Sequence, residues 1–203
     1  LADILVARRG RIVMHRSFVH PRLSEQGVRV EPDSIFALAS FTKVLTATLV
    51  MQQVERGRIS LEEPVAQYIP DFGQNGKESV TPRHLLSHSS GISEEMDGLR
   101  SASLAELLQH VYQRPLAFEP GTRSSYSTVG YAVLAELLRM ATDKGLEELG
   151  TELLFGPLGM TRSHLAHSAE WGGRVVPIFG DDLNALEDRP AWAMGGTGGS
   201  VAY

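Results

Sequence analysis

One periodic stretch fixes the centre of this chain. The apolar run Phe36-Ala37-Leu38-Ala39 delivers Ser40 to a segment in which Val44, Leu45, Ala47, Thr48, Met51 and Val54 recur at helical spacing. Gly57 supplies the stop. The pattern predicts a strand over Ile35–Ala39 and a helix from Phe41 to Gly57. Lys43 stands three residues after Ser40, so both side chains leave one face of the first helical turn.

That pairing has a chemical use. A serine hydroxyl is a weak nucleophile until a base takes its proton. A lysine serves as that base when burial or the positive end of a helix destabilises its ammonium. The same helix end favours negative charge growing near Ser40. A plainer reading stands beside this one. Serine is a favoured N-cap, and a helix lysine is ordinarily a solvated charge. Spacing alone does not separate the two.

Composition removes several classes of function. The net charge of −5, with no basic stripe, argues against nucleic acid and anionic membranes as partners. No apolar run reaches the length of a membrane span. The absence of cysteine excludes disulfides and thiol chemistry and fits either a cytoplasmic or a periplasmic or secreted location. A length of 203 residues suits one domain or one and a half.

The segments around the Ser40 helix read as strands flanking a helix-rich middle. Ala2–Arg8 and Arg11–His15, joined at Arg9-Gly10, form a hairpin, and Pro21 to Pro32 is a polar loop. Ser60-Leu61-Glu62-Glu63 has capping-box spacing and predicts a short helix through Tyr68. Thr81-Pro82 opens a helix to about His88, and Ser103 to Glu106 caps another to Tyr112. Val129, Val133, Leu134, Leu137 and Leu138 mark a longer helix, and Leu146 to Phe155 a further short one. From Arg174 the chain reads as strands and loops. The expectation is one α+β domain over 1–203: a helical region about 41–160, with sheet segments about 2–39 and 174–203 forming an antiparallel sheet.

Other clusters carry less. His84 and His88 lie four apart, but Leu85 stands where a zinc peptidase needs glutamate, so structural histidines are the reading and no metal is expected. His164 and His167 are expected in solvent. The glycines of 195–200 lack a phosphate-loop lysine, and Ala202 spoils a nucleophile elbow at Gly198-Gly199-Ser200. Glu62-Glu63, Glu94-Glu95 and Glu147-Glu148 read as solvated faces.

Phe36 to Lys43, Gly57 to Val65, Ile69-Pro70-Asp71-Phe72 and Leu85 to Ile92 occur in this order. They are followed by Pro120-Gly121-Thr122, Tyr126-Ser127, Gly130-Tyr131, Pro157 to Met160 and Gly195–Gly199. Together they resemble the serine β-lactamase-like and penicillin-binding-protein-like hydrolases, in particular the class C β-lactamase and esterase branch. The resemblance implies a β-lactamase/transpeptidase-like fold, incomplete at both termini. It also implies a covalent acyl-enzyme on esters or small amides, of carboxylesterase, β-lactamase or D-amino-acid peptidase type, with no cofactor. Ser40 would be the nucleophile, Lys43 its activating partner and Tyr126 the tyrosine of the second motif.

Two departures stand out. Thr128 occupies the position at which that motif ends in asparagine, which puts a contact to substrate in doubt and tilts the reading towards esters. The third motif would fall beyond Tyr203, so the chain is expected to be a fragment, or to be completed by another segment or a homo-oligomer. The rival expectation is a non-catalytic binding or sensor member, or an inactive fragment, of the same family.

Overall fold

Helix α5, Thr128–Thr142, is apolar almost all round, and it is buried almost all round. In the computed structural model, which describes residues 1–31, 34–94, 103–166 and 175–177, it is the axis of the larger of two compact units. Ser127 starts the helix by accepting the Gly130 N–H at 2.9 Å, and Asp143 ends it in a left-handed conformation. Around α5 lie α2 (Thr42–Glu55), α3 (Pro82–Leu86) and α4 (Leu104–Gln113). Their buried residues Leu49, Val50, Leu85, Leu107 and Val111 close on Val133, Leu134, Leu137 and Leu138. Full burial of each such side chain is worth about 1.5–3 kcal/mol.

The caps read from sequence form as hydrogen-bonded boxes. Thr81 and His84 satisfy each other's backbone at the start of α3, and Ser103 and Glu106 do so at α4. Helix α6 (Leu146–Gly150) passes directly into a π turn, Thr151–Phe155, within the segment predicted as one helix.

Ser60 does not open a helix. Its hydroxyl accepts the Glu62 and Glu63 N–H groups at 3.3 Å, but Pro64 follows and only the 3₁₀ turns Val65–Gln67 and Pro70–Phe72 form. The preference of a pre-proline residue for extended backbone explains the arrest.

Helix α2 departs from its apolar pattern. Its buried face is Thr42, Lys43, Thr46, Leu49, Val50 and Gln53, whereas Val44 is 54% and Met51 45% exposed. Leu45, Ala47 and Val54 sit at the margin of the core. Among the described residues no helix is long and apolar enough to cross a membrane.

The smaller unit contains the hairpin of β1 (Ala2–Arg8) and β2 (Arg11–Phe18). The strands are antiparallel, pair Asp3 with Ser17 and Val6 with Met14, and carry a bulge between Val6 and Ala7. Arg9 and Gly10 both have positive φ, as a tight two-residue turn requires. Two further expectations fail. The loop after Pro21 begins with a helical turn, α1 (Pro21–Glu25), capped by His20. Ile35–Ala39 is no strand: Ile35 makes a single parallel bridge to Val175, and Ala39 already belongs to a 3₁₀ turn. The remaining tail, including Gly195–Ser200 and His167, lies outside the described residues.

Candidate active site

Ser40 sits in the 3₁₀ turn Ala39–Phe41, immediately ahead of α2. Ala39 is held at φ +47, a left-handed conformation that costs a non-glycine residue about 1–3 kcal/mol and re-aims the chain at the serine. The Ser40 side chain is exposed, whereas Lys43, one turn on, is only 6% exposed.

Tyr126 comes from the loop before α5, 86 residues later in the chain. Its Oη lies 2.6 Å from Ser40 Oγ. Lys43 Nζ donates to Ser40 Oγ at 3.3 Å and, at the outer limit of a hydrogen bond, to Thr128 Oγ1 at 3.5 Å. The ammonium also stands 4.8 Å from the centre of the Tyr126 ring and 5.6 Å from that of Tyr131, a cation–π arrangement. The four residues singled out in the sequence thus lie together, Tyr126 closing on Ser40 and Lys43 reaching both Ser40 and Thr128.

The electrostatics follow from the contacts. Burial pushes the Tyr126 phenol up, but hydrogen bonds from Lys43 and Ser40, and the Lys43 charge, outweigh it and hold the phenol below its ordinary value. Tyr131, buried at the base of the site, is pushed up by burial and by its proximity to Tyr126. Its hydroxyl donates to the Leu86 carbonyl at 3.3 Å. Hydrogen-bond contacts therefore link Ser40 Oγ to both the Tyr126 hydroxyl and the Lys43 ammonium.

Two residues at this site were not recognised from sequence. His88, expected only to be structural, packs its ring, tilted, against those of Tyr126 and Tyr131 at 4.7 and 5.2 Å between ring centres. Its Nδ1 accepts the Ser127 N–H at 3.1 Å. Glu94, expected on a solvated face, turns its carboxylate onto the start of α5 and accepts the Thr128 and Val129 N–H groups at 2.8 and 3.2 Å. Nothing in sequence spacing links Glu94 to a helix beginning more than thirty residues later. For His88, the only signal was its place in the His-Ser-Ser-Gly run.

The other discounted clusters resolve as local structure. His84 Nδ1 accepts the Thr81 N–H, so this ring is committed to its cap. His164, expected in solvent, has Nδ1 3.0 Å from the Glu147 carboxylate. Glu62 accepts from Arg83 Nε at 2.8 Å, and Glu148 pairs with Lys144 at 3.4 Å.

The family profile described as beta-lactamase matches residues 2–202. Penicillin-binding protein 4 of Amycolatopsis lactamdurans is 36% identical over 175 residues, covering 83% of this chain and 46% of that protein. The esterase/beta-lactamase LipL of Mycobacterium tuberculosis is 37% identical over 154 residues, covering 72% of this chain and 35% of that protein. This chain therefore spans less than half the length of these curated relatives. A crystal structure of a class C beta-lactamase superposes with a TM-score of 0.82 at 19% identity, covering 98% of this chain and 55% of that one. That likeness establishes the fold: α+β, of the β-lactamase/transpeptidase type.

Proposed function

The chain belongs to the beta-lactamase family, and on that footing we propose that it carries the acylation centre of a serine hydrolase acting on small-molecule esters or amides. The observation that carries the reading is the 2.6 Å approach of Tyr126 Oη to Ser40 Oγ, with the Lys43 ammonium against both.

In the proposed reaction, Ser40 Oγ forms a bond to the substrate carbonyl carbon while its proton passes into the Tyr126–Lys43 pair. The carbonyl π electrons move onto oxygen, facing the Ser40 backbone N–H at the turn that begins α2. Collapse of the adduct breaks the bond to the leaving alcohol or amine, which takes the proton from the same pair. Water then attacks the acyl-Ser40 ester by the reverse route. A lowered phenol supports Tyr126 as the immediate acceptor, and the two titrations belong to the pair rather than to either residue.

Esters are the preferred substrates in this reading. Thr128 offers a hydroxyl at the limit of reach from Lys43, where a longer amide side chain would offer both a donor and an acceptor to a substrate amide. Relatives named as an esterase/beta-lactamase and as a penicillin-binding protein bracket the same range. We take residues 1–203 as part of a single such domain.

The test is covalent labelling. A fluorophosphonate should add once, at Ser40, as read by intact mass and peptide mapping, and Ser40→Ala should abolish the adduct. Ester turnover that survives Ser40→Ala unchanged would remove the proposal. Reversible ligand binding without an adduct would select the non-catalytic reading.

A further inference from the structure

We propose that His88 is the positioning residue for Tyr126, clamping the tyrosine loop from both sides so that the phenol meets Ser40. This rests on the acyl-transfer reading above but concerns a residue that reading does not use.

Three groups of His88 carry the inference. The His88 carbonyl accepts the Ser125 N–H at 2.8 Å and the Ser124 hydroxyl at 3.4 Å, on the near side of Tyr126. The His88 Nδ1 accepts the Ser127 N–H at 3.1 Å, on the far side. The imidazole itself lies tilted by 32° against the Tyr126 ring at 4.7 Å between centres. The peptide groups on both sides of the tyrosine, and its ring, are therefore held by one residue. A left-handed backbone at φ +57 accompanies this double use of carbonyl and ring, and a non-glycine residue at that angle is strained.

The clamp needs an imidazole with Nδ1 bare and the proton on Nε2, because only a bare nitrogen accepts an N–H. The charged and titratable groups facing the ring are Lys43 of α2, Glu94, Tyr126 and Tyr131 of α5. Burial and the Lys43 ammonium disfavour the imidazolium, outweighing the Glu94 carboxylate. The surroundings thus maintain the form that the contact to Ser127 requires. On acidification, proton uptake puts a second N–H opposite that of Ser127 and loosens the loop.

Two substitutions separate the parts of the clamp. His88→Asn keeps an acceptor, Oδ1, at the bond count of Nδ1 but removes the ring. His88→Phe keeps a ring and removes the acceptor. Long-range ¹H–¹⁵N spectra of the unmodified protein at neutral pH should report the Nε2–H tautomer. An Nδ1–H tautomer or an imidazolium there would overturn the proposal. The Tyr126 phenol, isolated by ultraviolet difference against Tyr126→Phe, should titrate below its ordinary value in the unmodified protein. It should move upward in His88→Phe and largely recover in His88→Asn.

In ester turnover, His88→Phe should lower kcat about 100-fold with KM little moved, as a misplaced reacting group does. An unmoved phenol titration in a folded His88→Phe would sink the clamp while labelling of Ser40 left the acyl-enzyme reading standing. If Ser40 takes no label in the unmodified protein, that reading fails, and the tautomer and the phenol titration still decide the role of His88. Should His88→Phe not fold, the tautomer of the unmodified protein and the phenol titration of His88→Ala, which also lacks the acceptor, decide between clamp and no clamp: a raised phenol supports the clamp and an unmoved one overturns it.

Discussion

Ser40, Lys43 and Tyr126 are close enough that each sets the chemistry of the others. Because the phenol is held down by the Lys43 contact and charge, its basic form persists to lower pH than in an isolated tyrosine. The rate of Ser40 acylation should therefore rise with pH through an inflection below about 10, the ordinary value. It should be lost as pH falls through that inflection, and an inflection at or above the ordinary value would contradict the assignment. Thr128 gives a specificity prediction. Thr128→Asn should raise amide or β-lactam turnover relative to ester turnover, because the longer amide can meet both a carbonyl and an N–H. An unchanged ratio would place Thr128 outside substrate contact. The Ser40–Lys43 pair was legible because both lie on one helical turn, where spacing fixes geometry. Tyr126 was reached only through resemblance, since no local rule brings together residues 86 apart.

Helix ends and turns show where sequence signals are reliable and where they fail. The boxes at Thr81 and Ser103 and the turn at Arg9-Gly10 form as read, because every partner lies within three residues. Ser60 made its bonds but no helix, because Pro64 cancelled a correct local signal. Glu94 was invisible for the opposite reason: it is a long-range cap. Its loss in Glu94→Ala should cost about 1 kcal/mol, as other helix caps do, with part of the cost recovered by Glu94→Gln. Chemical denaturation would read it, and a neutral Glu94→Ala would show that Ser127 suffices alone. Two glycines calibrate the backbone. Gly57 ends α2 at φ +70 with open space at its missing Cβ, so Gly57→Ala should cost about 1 kcal/mol for conformation alone. Gly91, at φ +80, would put a Cβ 2.1 Å from the Phe118 carbonyl oxygen. Gly91→Ala should cost about 3 kcal/mol or more, since backbone must move, and it should disturb the loop that carries His88 and Glu94. Equal costs at the two positions would refute the steric account.

Helix α2 has apolar residues on two sides, and the helical core covers one. Phe41, Val44 and Met51 remain exposed, and Val44, Ala47, Thr48 and Met51 line a shallow hollow of about 420 Å³ with Lys43 and Tyr131. Among the described residues the hairpin is exposed on both faces: Ile4 and Val6 on one, Leu5 on the other, with Ile12 and Val13 across the turn. A two-stranded hairpin is marginal without further strands or a covering helix. Exposed apolar surface and open strand edges both favour association. This explains why the periodicity of α2 named the helix correctly and its buried face poorly: the pattern reports every apolar side, whatever covers it. The 203-residue chain by itself should therefore bind a hydrophobic dye and self-associate with rising concentration in sedimentation. Replacing Val44 and Met51 together by lysine should weaken both effects and leave the helical core folded, because neither side chain belongs to it. A chain that sediments as a monomer at every concentration and leaves the dye dark would mean that these apolar side chains are not available to a partner. The two-sided character of α2 would then need another cause.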